Sequence, residues 1–561
     1  MLDNISSLKK YRLIAVFFVL CNLGVSAQTI FLTHNHPVQE FLLRLDAANV
    51  VQINSELLPL SRKKVADYLL ELESKKKNLS VLEKQELDFY LKEFAAELGT
   101  SPKGFLIEYN PVNRDSVLQE DRFWFIRYTD SLFTLRLKPV VGYGASSVSG
   151  QMTYIRWPGV QVLGYGSDWF GASFEYVDFG EIGSNTDQKK YFTPKTGAYV
   201  NNQTGSVFEY SDVKGSITIN WKWGYVSIVK DYQRWGSGQF GNIILSDKAP
   251  SFTQFRLHVS PVPWFRYNYF QGWLNSLVFD SSSAFYSHPE SAEPQLIMPY
   301  KDKYVVGNLA TFSFGESVDY SVGNAFVYGP NFRMETLLPF MYYKVMDHNT
   351  GRIAADDGNG MLFADLKWKV IPNLKLYGSL FVDVINFRDL LNGEFDTQWL
   401  GFTVGSRKYN LFHDYLDLSI EYTRLNPWLY ENRNELASYK HLGYQLGHWI
   451  GQNADQLRIQ FDYMPIRGLR TKAFAEFVRK GEEEDIIKAY KLNKYAPVPF
   501  LSGRMRKDTR IGFDAEYEPM HDLKIRTWIE YTDITDEVPN RTPSWQLGQN
   551  LSFGLLWSYG L

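Results

Sequence analysis

From about Phe105 to Leu561, apolar and polar residues alternate with a period of two. In "NLKLYGSLFVDV", Leu374, Leu376, Leu380, Val382 and Val384 fall on one face, and Lys375, Tyr377, Ser379 and Asp383 fall on the other. The same division runs through "QLRIQFDYM", "RIGFDAEYEP" and "DLKIRTWIEY". Phe461, Ile511, Phe513, Ile525 and Ile529 share the oily side, opposite Arg458, Asp462, Arg510, Asp514, Glu516, Lys524, Arg526 and Glu530. Successive side chains of a strand point to opposite sides of its sheet, so the pattern dictates strands with one apolar and one charged face. Alternation alone leaves open which face meets water. A soluble sandwich turns the apolar face inward, and a membrane barrel turns it outward.

The connections separate the two. Pro261, Pro372, Pro465 and Pro519 each end a strand that is followed within a few residues by the next, whereas "SSSAFYSHPESAEPQ", "DHNTGRIAADDGNG" and "RKGEEEDIIKAYKLNKYAPVPFLSG" are long and polar. Short turns at one end and long loops at the other are the asymmetry of an outer-membrane barrel. The composition agrees, with 16% aromatic residues and 41 glycines. Beyond residue 27 there is also no apolar run of the ~20 residues a membrane helix needs. The expectation is a mainly β chain forming a transmembrane antiparallel β-barrel. At about 25 residues per strand and connection it would have about 18 strands, too wide for wall side chains alone to fill the lumen. Charges of both signs on the inward face predict a self-neutralising wall rather than a one-sign filter. The final stretch "LSFGLLWSYGL" alternates through Phe553, Leu555, Trp557, Tyr559 and Leu561, as a closing strand should.

Ahead of the barrel the pattern differs. Lys9, Lys10 and Arg12 precede the apolar run Leu13 to Leu20, and Val25-Ser26-Ala27 forms a small-residue cleavage site, so residues 1–27 read as a secretory signal peptide. The single cysteine, Cys21, lies inside it, and the mature chain must be stabilised without disulfides. Removing three basic residues and one acidic residue from totals of 59 and 62 leaves a net charge near −5. That balance does not suggest a nucleic-acid partner, and none is expected. Residues 28–102 read as a periplasmic helical region, and residues 103–561 as the barrel. Val65, Leu69 and Leu72 have helical spacing, as do Leu87, Leu91, Phe94 and Leu98 behind a Ser80/Glu83 capping box, and a third helix runs from Pro37 to Ala47.

One stretch breaks the alternation, "YQRWGSGQFGNIILSDKAP", Tyr232 to Pro250. Gly236, Gly238 and Gly241 let the backbone turn tightly, Trp235 is a flat apolar plate, and Arg234, Ser246, Asp247 and Lys248 can hydrogen-bond. That mixture suits sugar binding, which makes Arg234, Trp235, Ser246, Asp247 and Lys248 the candidate ligand-binding residues. It equally suits an inward structural loop held by its own Arg and Asp. No catalytic residue, cofactor or metal site is expected. The histidines match no H-E-x-x-H or G-x-S-x-G context. His448 with Asn453 and Asp455 suggests part of a hydrolase triad, but no motif places its serine. His34 and His36 lie in what reads as a flexible tether.

The segment Trp235-Gly236-x-Gly238, followed by Ile243-Ile244-Leu245-Ser246-Asp247-x-Ala249-Pro250, resembles the hallmark stretch of the Wzi-type capsule assembly proteins of Gram-negative outer membranes. That family usually has Pro where this chain has Ser237. "LGHWIGQNADQL", Leu446 to Leu457, is similar to a pattern the family carries late in its barrel, and so is the arrangement of helices ahead of the barrel. The resemblance implies an 18-stranded barrel in the cell outer membrane with a helical bundle at its periplasmic end. It also implies a non-enzymatic lectin role, attaching capsular or extracellular polysaccharide to the cell surface. The implied partners are that polysaccharide, outer-membrane lipid and the barrel-assembly machinery during biogenesis. The alternative is a porin-like outer-membrane sugar channel, and the two differ in whether the lumen is open.

Overall fold

The alternating stretches fold as strands. The computed structural model describes residues 30–33, 35–54, 57–101, 103–107, 122–167, 169–200, 202–204, 206–287, 295–346, 358–483, 486 and 498–560. The expected signal peptide, His34 and Leu561 lie outside the described residues. In chain order the wall consists of β1 (Phe133–Val148), β2 (Gln151–Gly166), β3 (Phe170–Ile182), β4 (Val207–Trp221), β5 (Gly224–Asp231), β6 (Phe252–Val262), β7 (Phe265–Phe279), β8 (Tyr300–Phe314) and β9 (Val318–Tyr328). It continues through β10 (Gly358–Ile371), β11 (Leu374–Val384), β12 (Trp399–Lys408), β13 (Leu416–Leu425), β14 (Ala454–Ile466), β15 (Leu469–Lys480), β16 (Arg506–Met520), β17 (Leu523–Asp536) and β18 (Gly548–Tyr559). Each strand pairs antiparallel with the next. The last closes on the first, from Ser552↔Val148 to Tyr559↔Val141, so the 18 strands form a closed barrel without a free edge.

The faces are as the sequence predicts. Phe461, Ile511, Phe513, Ile525 and Ile529 are exposed on the outside, and Trp169, Trp223 and Trp264, in the short hairpins, add an aromatic girdle at that end. Inward charges neutralise one another, as in Arg266–Asp319 (3.1 Å), Arg458–Glu476 (3.0 Å) and Arg526–Asp514 (2.6 Å). Tyr559 departs from the exposed row of β18. It is buried, and its hydroxyl donates to the Phe123 carbonyl at 2.8 Å.

The helical region comprises α1 (Val38–Ala47), α2 (Arg62–Ser74) and α3 (Val81–Glu93). The α3 capping box is formed: the Glu83 amide donates to Ser80 Oγ (3.2 Å), and the Ser80 amide donates to the Glu83 carboxylate (2.7 Å). Val65, Leu69, Leu72 and Leu87 are fully buried in the region's own core. The helix stops at Glu93, short of the expected Leu98, and Phe94 and Leu98 follow in turns. His36 is not in a tether. Its Nε2 lies 2.9 Å from Glu93, and it sits beside Phe94.

The region docks on the short-turn end of the barrel. Asp46 pairs with Lys375 (2.7 Å) and Lys369 (3.3 Å), Glu40 pairs with Arg407 (2.6 Å), and Arg44 pairs with Asp417 (2.5 Å). Glu93 is a hub of this seam. Burial alone would raise its carboxyl, but His36, Arg122 (3.2 Å) and Arg62 hold it well below the ordinary glutamate value of 4.5. Asp522, in the β16–β17 hairpin, is likewise held low against burial by Arg122 and Lys138. A carboxyl whose pKa falls on folding stabilises the fold above its unfolded value and loses that contribution as pH drops through the folded value. The helical region is therefore expected to resist protease at neutral pH and to become cleavable below pH 4.5, with the heat-modifiable gel mobility of the barrel retained. Identical digestion across that range would remove these carboxylates from the seam.

Candidate functional site

The connection between β5 and β6 turns back into the lumen. The Ser237 amide donates to Asp365 of β10 (2.9 Å), and its hydroxyl donates to the same carboxylate (2.6 Å). The amides of Gln239 and Phe240 donate to Glu421 of β13 (2.6 and 3.1 Å), which also accepts the Tyr377 hydroxyl (2.9 Å). The loop is thus held by carboxylates of the wall. A proline at position 237 would supply neither of these donors.

The two sequence stretches that carry the family resemblance meet here. The Ser246 amide donates to the Leu446 carbonyl (2.8 Å), its hydroxyl donates to Gly447 (2.5 Å), and Trp449 Nε1 donates to Phe240 (3.2 Å). The hydroxyls of Tyr430 and Tyr439 donate to the carbonyls of Ile243 (2.6 Å) and Ile244 (2.7 Å). Glycine is required at the contact. A Cβ on Gly241 would lie 2.3 Å from His448 Nε2, and one on Gly447 would lie 2.4 Å from the Tyr430 ring. From the other end, Leu57–Leu58 of the helical region pairs as a short ladder with Arg234–Trp235. Protein therefore runs through the lumen from the helices to the long loops.

Of the five residues singled out in the sequence, Trp235 is fully buried, with its ring edge-to-face on Phe270 (5.0 Å). Ser246 and Lys248 are also buried. The Lys248 ammonium donates to the carbonyls of Lys195 (2.8 Å), Thr193 (3.0 Å) and Lys190, and burial brings its pKa down to about 7, with Asp187 offsetting part of that effect. Arg234 and Asp247 are half-buried and line a cavity of about 670 Å³. Across it stand Glu40 and Arg44 of α1 and Arg407, Arg458 and Asp462 of the wall. Positive and negative groups interleave around this space, which favours a neutral polar ligand or bound water over an ion of either sign.

The imagined hydrolase group does not assemble into a relay. His448 Nδ1 accepts the Ile450 amide (3.3 Å), and burial takes the ring down to about 3. Asn453 Nδ2 donates to Glu482 (2.9 Å), and Asp455 accepts Arg479 (3.0 Å) and Tyr422 (3.1 Å). Among the described residues no group of three or more His, Cys, Asp or Glu is placed to hold a metal.

Sequence reading missed the wall anchors Asp365 and Glu421 and the exposed aromatics of the long-loop end, Tyr191, Tyr199, Phe285 and Tyr286. Both carboxylates lie on inward faces of alternating strands, a readable signal. Nothing local announces which loop comes to them.

No protein-family model matches the sequence, and no curated protein does. Among solved structures, the chain superposes on Wzi of Escherichia coli with a TM-score of 0.55 and 14% identity, over 95% of this chain and 100% of that one. Wzi is described as an outer-membrane protein involved in group 1 capsule assembly and a carbohydrate-binding β-barrel. This chain has the Wzi fold. OprD of Pseudomonas aeruginosa aligns over 76% of the chain and 95% of its own, with a TM-score of 0.40 and 9% identity. OpdK of the same organism, solved with vanillate, aligns over 76% and 98%, with a TM-score of 0.41 and 11% identity. The features of the Wzi fold seen here are the closed wall and the helices ahead of it.

Proposed function

We propose that the chain is an outer-membrane barrel that attaches capsular or extracellular polysaccharide at the cell surface as a lectin, with its helices in the periplasm and its long loops outside. The observation that carries this reading is the protein that enters the lumen. A sugar channel needs a continuous aqueous path, and here the loops around Trp235 and Leu446 and the Leu57–Leu58 segment share the bore. Wzi's description as a carbohydrate-binding barrel supports the same choice. Sugars bind by stacking on aromatic faces and by hydrogen bonds to planar polar groups, each contact weak and repeated along a polymer. Tyr199 and Tyr286, about half exposed at the long-loop end, provide such faces, and Arg234 and Asp247 provide polar groups deeper in.

The test is polymer retention. Tyr199→Ala, Tyr286→Ala and Asp247→Ala are each expected to leave secretion intact and move part of the polymer from the cell-bound to the free fraction, with the Tyr199/Tyr286 double variant losing more than either single one. Heat-modifiable mobility certifies assembly of each variant. Normal retention in cells lacking the whole protein would end the lectin reading.

A further inference from the structure

The described part of the connection after β9, residues 329–346, takes the opposite course from the loop around Trp235. It lies on the outside of the wall. On β7, β8 and β9 the side chains of Phe270, Leu309 and Ala325 point into the lumen core, so Tyr267, Tyr269, Asn308 and Asn324 point outward, on the same face as the exposed Trp273 and Tyr320. Residues 330–346 cover this face. The Tyr269 hydroxyl donates to the Thr336 carbonyl (2.8 Å), Asn308 Nδ2 donates to the Met341 carbonyl (2.7 Å), and the Tyr343 amide donates to Asn324 Oδ1 (2.7 Å). The Phe340 ring stacks on Tyr267 at 4.5 Å, two residues from the hairpin end of β7. The segment therefore descends from the long-loop end almost to the short-turn end.

We propose that residues 330–346 are a strap embedded in the hydrocarbon of the bilayer, not an extracellular loop. This rests on the reading of the barrel as membrane-spanning. Three observations commit it to lipid. First, Gln271, Asn308 and Asn324 are polar groups on the outer face that would stand bare in hydrocarbon, and the strap buries all three. Second, the side chains it turns outward in their place are apolar from Leu337 onward: Leu337, Leu338 (61% exposed), Phe340 (72%), Tyr342 and Val345. They continue the oily belt of the strands on either side. Third, part of its irregular backbone is satisfied as lipid demands: the Thr336, Leu338 and Val345 amides find carbonyls within the strap at 3.1, 3.1 and 3.3 Å, and the Tyr343 amide finds Asn324. Its cations are turned away from this surface. The Lys344 ammonium donates to the Asp383 carbonyl (2.8 Å) and to Gly360, and the Arg333 guanidinium lies over the rings of Phe326 and Tyr328. The exposed Glu335 adjoins Thr336, whose hydroxyl pairs with that of Tyr328 (3.0 Å), the last residue of β9 at its long-loop end.

The expected mature chain has no cysteine, so single nitroxide labels can be placed at Phe340→Cys and Leu338→Cys in the full barrel reconstituted in phosphatidylcholine vesicles. Phe461→Cys serves as the lipid-facing reference and Tyr199→Cys as the aqueous one. Collision with dissolved oxygen, which concentrates in hydrocarbon, is expected to match that at Phe461, and collision with a water-soluble nickel chelate to be as low as it is there. Nickel accessibility equal to that at Tyr199 would overturn the proposal in favour of a water-exposed loop. Shielding from both reagents would overturn it in favour of a second copy packed on this face. Nickel accessibility at Phe461 itself would reject the membrane barrel along with the strap.

Discussion

Steady conductance in planar bilayers is expected to appear only when the helical region and both inward loops, residues 233–248 and 429–450, are removed together. The intact chain and the chain lacking residues 30–100 alone are both expected to stay closed. Obstructions along one bore act in series, so passage is set by the tightest. The helices dock on the short-turn end through the Asp46, Glu40 and Arg44 pairs, while the two loops lock each other through Ser246, Tyr430 and Trp449. Loops on a closed wall can be shortened without breaking a ladder, and heat-modifiable mobility of the triple deletion reports whether the wall survives. Steady large conductance from the intact protein would restore the sugar-channel reading. Conductance after loss of the helices alone would show that the loops do not seal.

Arg62→Ala is expected to detach the helical region from an intact barrel. Arg62 donates to Glu97 and lies 3.4 Å from Glu93, and Glu97 also accepts the Tyr165 hydroxyl of β2. Burial alone would raise the Glu97 carboxyl, and Arg62 is the chief influence that keeps it low. Removing Arg62 strips the buried Glu97, which ties the helical region to Tyr165 of the wall, of its chief counter-charge, and breaking a buried pair costs about 3–5 kcal/mol. A seam weakened by that much opens often enough for protease to cut within residues 60–100 at neutral pH, while the wall, held by its own ladder, keeps its mobility. Equal protease resistance in wild type and variant would show that the pair contributes little to docking.

Local chemistry was sufficient for the wall and the helices. The two-residue period in "QLRIQFDYM" or "DLKIRTWIEY" assigns every side chain a face, and short and long connections between such strands order them into a barrel with distinguishable ends. Ser80 and Glu83 mark a helix start because both capping partners lie within one turn. Helix ends were less legible. The apolar spacing continues through Phe94 and Leu98, but the chain leaves the helix at Glu93, and the turns that follow carry Ala96 and Glu97 to Leu163 and Tyr165 of β2.

The course of the long connections was not legible, because it depends on groups far away in the chain. "YQRWGSGQFGNIILSDKAP" goes inward because Asp365 and Glu421 offer carboxylates to its amides and because Gly241 and Gly447 let it press against His448 and Tyr430. Residues 330–346 go outward because Asn308, Asn324 and Tyr269 present polar atoms on the opposite face of the same wall. Both stretches mix aromatic, small and polar residues, and neither has a period. An irregular backbone settles wherever its amides and carbonyls are satisfied. For these loops the donors and acceptors come together only after the barrel has closed, so no window of sequence contains them.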